Sequence, residues 1–155
     1  MKKLTIISYY SLVEYLVSIK KLFESYFYNV SNFPLFQYAY DANDKIPDYK
    51  EKLNDYLKNS KIDIVIWWFL DVPCEVFNFI KENNPKIYFI MYNCDDPNNV
   101  NIDTFEKGKI FNLIMTPCKS NLSNYKMLSH ARDVMFNPPG FDPKFFYKIN
   151  RMINY

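Results

Sequence analysis

Six short apolar runs, mostly β-branched or aromatic, alternate with amphipathic stretches along this chain, and that alternation restricts the folds open to it. The runs are KLTIIS (3–8), NVSNFPLFQYAY (29–40), KIDIVIWWFL (61–70), KIYFIMY (86–92), FNLIMTP (111–117) and DVMFNPP (133–139). Helical spacing marks the intervening segments. In 11–28 apolar residues fall at 12, 13, 16, 17, 19, 23, 26 and 27, and Ser11 with Glu14 makes a capping box. Pro47 opens 47–60 at a first-turn position, Pro73 opens a short helix over 72–84, and 103–109 and 119–130 complete the series. Such alternation is met most economically by right-handed βαβ units. The near-continuous apolar character of 61–70 marks a strand covered on both faces, as in a parallel sheet, whereas Pro34 makes 29–40 edge-like. The expected fold class is therefore α/β: a doubly wound, Rossmann-like parallel sheet of about six strands in the order 3-2-1-4-5-6, with helices on both faces. Residues 1–146 form a single domain and 147–155 a short tail.

Open parallel sheets bind ligands outside the carboxyl ends of their strands, near the switch point expected here between strands 1 and 4. Four loops meet there: SYYS (8–11), FLDVPC (69–74), YNCDDPNN (92–99) and TPCKS (116–120). Glycine occurs at positions 108 and 140 alone, so Tyr9 and Tyr10 stand where a dinucleotide fold needs a glycine-rich turn. Classical NAD, FAD and P-loop nucleotide binding are excluded, and no cofactor is expected. Asp95 and Asp96, side by side before Pro97, are the candidate catalytic residues. Paired carboxylates accept protons from hydroxyls, hold a metal or act as a general base, while the same residues also make good turn and cap chemistry. Tyr9, Tyr10, Asp71 and Asn93 line the expected cleft, although Asp71 before Pro73 also suits an N-cap.

The single histidine, His130, suits a helix C-terminus, and no metal site is expected. Cys74, Cys94 and Cys118 are too widely spaced for a disulfide framework or a zinc site and read as reduced, structural residues just beyond strand ends. Trp67 and Trp68 read as core. A net charge of +2, with lysines interspersed among acids, argues against nucleic acid as a partner. The apolar start is broken by Ser8, Ser11 and Glu14 and lacks a cleavage site, and no run approaches the ~20 residues of a membrane span. A soluble, cytoplasmic protein is expected, in the host cytoplasm should its source be viral. The Asn-x-Ser triplets at Asn29 and Asn121 need a secretory context that this reading lacks. Aromatics at 19% fit codon bias in an AT-rich genome.

Residues 134–146, VMFNPPGFDPKFF, resemble the "hydrophobic strand, Pro-x-Gly-φ-Asp-x-x-x-Phe" segment that closes the N-terminal lobe of GT-B glycosyltransferases. The matching residues are Pro138 or Pro139, Gly140, Phe141, Asp142 and Phe146. The upstream order of IDIVIWWFLDVP, KIYFIMYNCDDP and FNLIMTPCKSNLSNYKML is similar to the spore-maturation-type branch of that family. The resemblance implies an acceptor-side lobe, with Asp95 or Asp96 orienting an acceptor hydroxyl, and Gly140 at the hinge completing the substrate-facing set. It also implies that the nucleotide-sugar lobe is missing, so that the chain is inactive alone or needs a partner chain to bring a nucleotide-sugar to the acceptor. The first loop departs from the family, since Tyr9 and Tyr10 obstruct a donor phosphate. The alternative is a non-catalytic interaction module that self-associates as a homo-oligomer. A receiver-like protein fits less well, because TIISYYS carries no acid at the end of the first strand.

Overall fold

The computed structural model describes residues 2–8, 14–26, 29–35, 48–68, 72–93, 96 and 100–137, with the backbone alone for 14–19 and 48. Its strands are β1 (Lys3–Ser8), β2 (Asn29–Pro34), β3 (Ile64–Trp67), β4 (Tyr88–Tyr92), β5 (Leu113–Thr116) and β6 (Asp133–Phe136). The helices are α1 (Glu14–Ser25), α2 (Asp48–Asn59), α3 (Cys74–Asn83), α4 (Ile102–Gly108) and α5 (Leu122–Leu128), the last preceded by a 3₁₀ turn at Lys119–Asn121. All six strands are parallel and form one sheet in the order β2-β1-β3-β4-β5-β6.

The α/β class, the parallel sheet and the strand–helix alternation agree with the sequence reading; the expected order 3-2-1-4-5-6 does not. The third strand lies beside β1, with Leu4 opposite Ile64 and Ile7 opposite Trp67. Burial explains the difference. An order ending in strand 3 would expose one edge of the most apolar run, whereas the observed order puts the polar NVSNFP strand there, with Pro34 at its end. This is the flavodoxin-like order 2-1-3-4-5 with one further strand, and its switch point falls between β1 and β3.

Reversal of winding at β1 separates the helices. Alternate strand residues feed two cores. Ile7, Val65, Trp67, Phe89, Met91 and Ile114 face Leu53 and Leu57 of α2, Phe77 and Ile80 of α3, and Tyr125 of α5. Leu4, Ile6, Val30, Ile66 and Tyr92 form the opposite core, against which Phe23 of α1 packs. The expected core roles of the tryptophans hold: Trp67 is fully buried against Phe77, at 4.4 Å between ring centroids, and Trp68 packs edge-on to Tyr92. On β1 the buried Thr5 is matched by polar partners. Tyr56 of α2 donates to Ser31 Oγ at 2.6 Å and lies 3.3 Å from Thr5 Oγ1, tying α2 to the edge strand. Gly108 is required by close approach rather than by its backbone angles, since a Cβ there would meet Ser129 Oγ at 2.5 Å.

The run expected to begin at residue 61 starts three residues later, because Lys61 and Ile62 belong to a helix ending. Lys61 has φ 51°; its N–H donates to the Lys58 carbonyl and that of Ile62 to the Leu57 carbonyl, both at 3.1 Å. This is the Schellman arrangement, with Ile62 and Leu57 as its buried apolar pair and lysine where glycine is usual. A side chain in the left-handed region costs about 1 kcal/mol. Lys61→Gly is therefore expected to raise stability by up to about 1 kcal/mol, read as a higher urea midpoint with unchanged slope. His130, φ 50°, ends α5 in the same conformation, in keeping with its expected place at a helix end. Among the described residues no helix is long and apolar enough to cross a membrane.

Candidate functional site

A polar cluster closes the carboxyl ends of β4 and β5. Its frame is the ladder itself: Asn93, one residue past β4, donates its backbone N–H to the Met115 carbonyl at 3.1 Å, and Asn137 donates to the Thr116 carbonyl at 2.8 Å. Thr116, the last residue of β5, is fully buried, and its hydroxyl donates to Oδ2 of Asp96. Pro117 follows and turns the chain, and the Cys118 N–H donates back to Thr116 Oγ1 at 3.0 Å. The turn carries Asn121 over the cluster, where its amide donates to Oδ1 of Asp96 and its own oxygen accepts from Asn124 at 3.1 Å.

Tyr125 forms the cluster's floor. Its ring is wholly buried and meets Phe105 of α4 edge-on at 5.2 Å. Its hydroxyl accepts from Asn93 Nδ2 at 2.9 Å. Burial pushes the Tyr125 hydroxyl well above the ordinary tyrosine value; the Asn93 hydrogen bond opposes this, and the charge and hydrogen bond of Asp96 add to it. A hydroxyl that stays protonated in the fold but ionises near pH 10 when unfolded contributes stability fully present below pH 10 and lost as pH rises above it. We expect stability to fall above pH 10 with a slope that Tyr125→Phe reduces, as measured by urea titrations between pH 8 and 11.

Asp96 is the candidate catalytic carboxylate that the structure describes, 7% exposed, with both oxygens held by neutral donors and no ion pair to a described residue. Asn93 is brought into the same cluster. Asp95, Tyr9, Tyr10, Asp71 and Gly140 lie outside the described residues, as does the 138–146 segment. Thr116, Asn121 and Tyr125 were not singled out as site residues from sequence; a threonine ending a buried strand just before Pro117 was the available signal. Of the cysteines, Cys118 lies beside the cluster, its sulfur 3.0 Å from Ser120 Oγ, while Cys74 begins α3; both are free thiols. Burial first, then Asp103, raises the Cys74 thiol. Among the described residues no group of three or more His, Cys, Asp or Glu could hold a metal ion. The arrangement positions one buried negative charge among hydroxyls and amides at the rim of the sheet.

No family model matches the sequence, and no curated protein does. Solved structures similar to the chain include a response regulator receiver domain protein from Clostridium thermocellum, 18% identical, with a TM-score of 0.47 over 90% of this chain and 85% of that one. A de novo designed Rossmann 2x3 fold protein is 16% identical, with a TM-score of 0.40 over 90% of this chain and 80% of the other. The expected glycosyltransferase lobe is corrected by these findings: neither neighbour is a GT-B glycosyltransferase, and no family evidence stands behind the resemblance. Motifs such as Asp-Asp-Pro and Pro-Gly-Phe-Asp are short turn-forming strings that unrelated α/β sheets share at their strand ends. Nor does any observation favour the alternative of a self-associating module.

Proposed function

We propose that the chain is a small-molecule-binding α/β domain. Its ligand is a small hydroxyl- or amine-bearing molecule held outside the carboxyl ends of the central strands, with Asp96 as its anchor. The observation that carries this reading is the buried Asp96 carboxylate, held by Thr116 and Asn121 without a described cation. A carboxylate offers about four acceptor positions. Among the described residues Thr116 and Asn121 take two of them, and a ligand donor would take another. Buried carboxylates are rarely left without a positive partner, and neutral donors offset part of the desolvation cost while leaving the negative potential in place. That potential favours an ammonium or hydroxyl donor and opposes phosphate. Lys119, in the turn that follows Thr116, lies over the Phe136 ring at 4.8 Å. Asp95, Asn93, Tyr9, Tyr10 and Asp71 are the further residues assigned to this rim. The free thiols fit a cytoplasmic setting.

A thermal-shift screen against amines, polyols and phosphate esters tests the ligand class. At least one amine or polyol is expected to raise Tm in a concentration-dependent way. Stabilisation by phosphate esters alone would overturn the assignment.

A further inference from the structure

At the opposite end of the sheet, the amino ends of β3 and β4, a groove of about 270 Å³ lies between the ends of α2 and α3. Its floor is apolar, from Leu57, Ile62 and Ile87, and its rim carries Lys58, Lys61 and Lys86, with no acidic residue among the lining. None of the three lysines forms an ion pair with a described residue. The nearby Asp63 carboxylate accepts the Lys3 backbone N–H at 2.8 Å and offsets part of this positive charge. The walls are fixed: buried Asn84 donates to Asn54 Oδ1 and to the Ile80 carbonyl, both at 2.9 Å, bolting the two helix ends together. Lys61 is held over this groove in the left-handed conformation described above, at a helix-ending position where glycine would be less strained.

We propose that this groove binds a small anionic amphiphile, its charged head among Lys58, Lys61 and Lys86 and its short apolar body on Leu57, Ile62 and Ile87. The volume sits just under the ~300–1,000 Å³ typical of ligand sites, so the occupant is fragment-sized. Three cations against one neighbouring carboxylate, with no acid in the lining, draw an anion, and the apolar floor adds burial of a few methylenes. The site shares no residue with the Asp96 cluster and does not depend on the reading given for it.

Octanoate, with octanol as the neutral control, tests the assignment by amide chemical shifts of the intact chain. Octanoate is expected to shift residues 57–62 and 84–87, more weakly as salt is raised, and octanol is not. Lys58→Gln/Lys61→Gln/Lys86→Gln is expected to weaken octanoate roughly tenfold. Lys61→Gly, which relieves backbone strain, is expected to weaken binding while the fold gains stability, which separates lost recognition from lost structure. No response to octanoate, an equal response to octanol, or undiminished binding by the triple variant would overturn the proposal.

Discussion

Asp96→Ala is expected to destabilise the folded chain by about 3 kcal/mol, because hydrogen bonds to a charged group contribute ~1.5–3 kcal/mol each and two donors lose their acceptor. The Thr116 hydroxyl belongs to a fully buried residue and loses its acceptor. Removing a buried charge returns part of its desolvation energy, which keeps the loss below the sum of two such bonds. Asp96→Asn separates the two contributions. Its amide group still accepts from Asn121 and can donate to Thr116 Oγ1, so a loss of about 1 kcal/mol is expected. Urea midpoints check both, and with a slope of ~2 kcal/mol/M the alanine variant shifts by roughly 1.5 M. Equal losses in the two variants would show that charge, not hydrogen bonding, dominates the cluster.

Trp67→Ala is expected to cost ~3–5 kcal/mol, a large share of the ~5–15 kcal/mol that holds an ordinary domain. The side chain is fully buried at the centre of the larger core, on a strand paired on both sides. Its indole N–H, however, has no hydrogen-bond partner among the described residues, a burden of ~1–3 kcal/mol. Trp67→Phe removes that orphaned donor along with some volume, and its loss is expected to stay below ~1.5 kcal/mol. Calorimetric unfolding of the two variants distinguishes them. A phenylalanine variant as weak as the alanine variant would contradict this, since the phenyl ring keeps most of the packed volume and loses the orphaned donor.

The strands were legible because each is a compact apolar run, and KIDIVIWWFL marked a fully covered strand correctly. Their order was not, since periodicity fixes which face of a strand is buried and says nothing about which edge it pairs along. The polarity of NVSNFP, with Pro34, was the clue that β2 takes the outer edge and β3 the inner one. Strand ends were overdrawn where apolar residues serve helix endings, as Ile62 does for α2. The candidate site was half visible. Asp96 could be picked out as a carboxylate after a buried strand, and Asn93 shared its loop. Thr116 and Asn121 lie 20 and 25 residues further on, and the sheet pairing that brings them together is a property of topology, not of local sequence. The strings at 95–96 and 138–142 pointed to a family because turn chemistry recurs across parallel sheets, and short turns are weak evidence of descent.

Anchoring of a ligand by Asp96 is the central proposal. Calorimetric titration of the best amine or polyol from the thermal screen, into the native chain and into Asp96→Asn, tests it most directly. An Asn variant that stays folded and binds at least roughly tenfold more weakly is the predicted result, equivalent to ~1.4 kcal/mol of lost charge interaction. Equal affinity for both proteins would contradict the account and leave Asp96 as a clamp between β5 and its following turn.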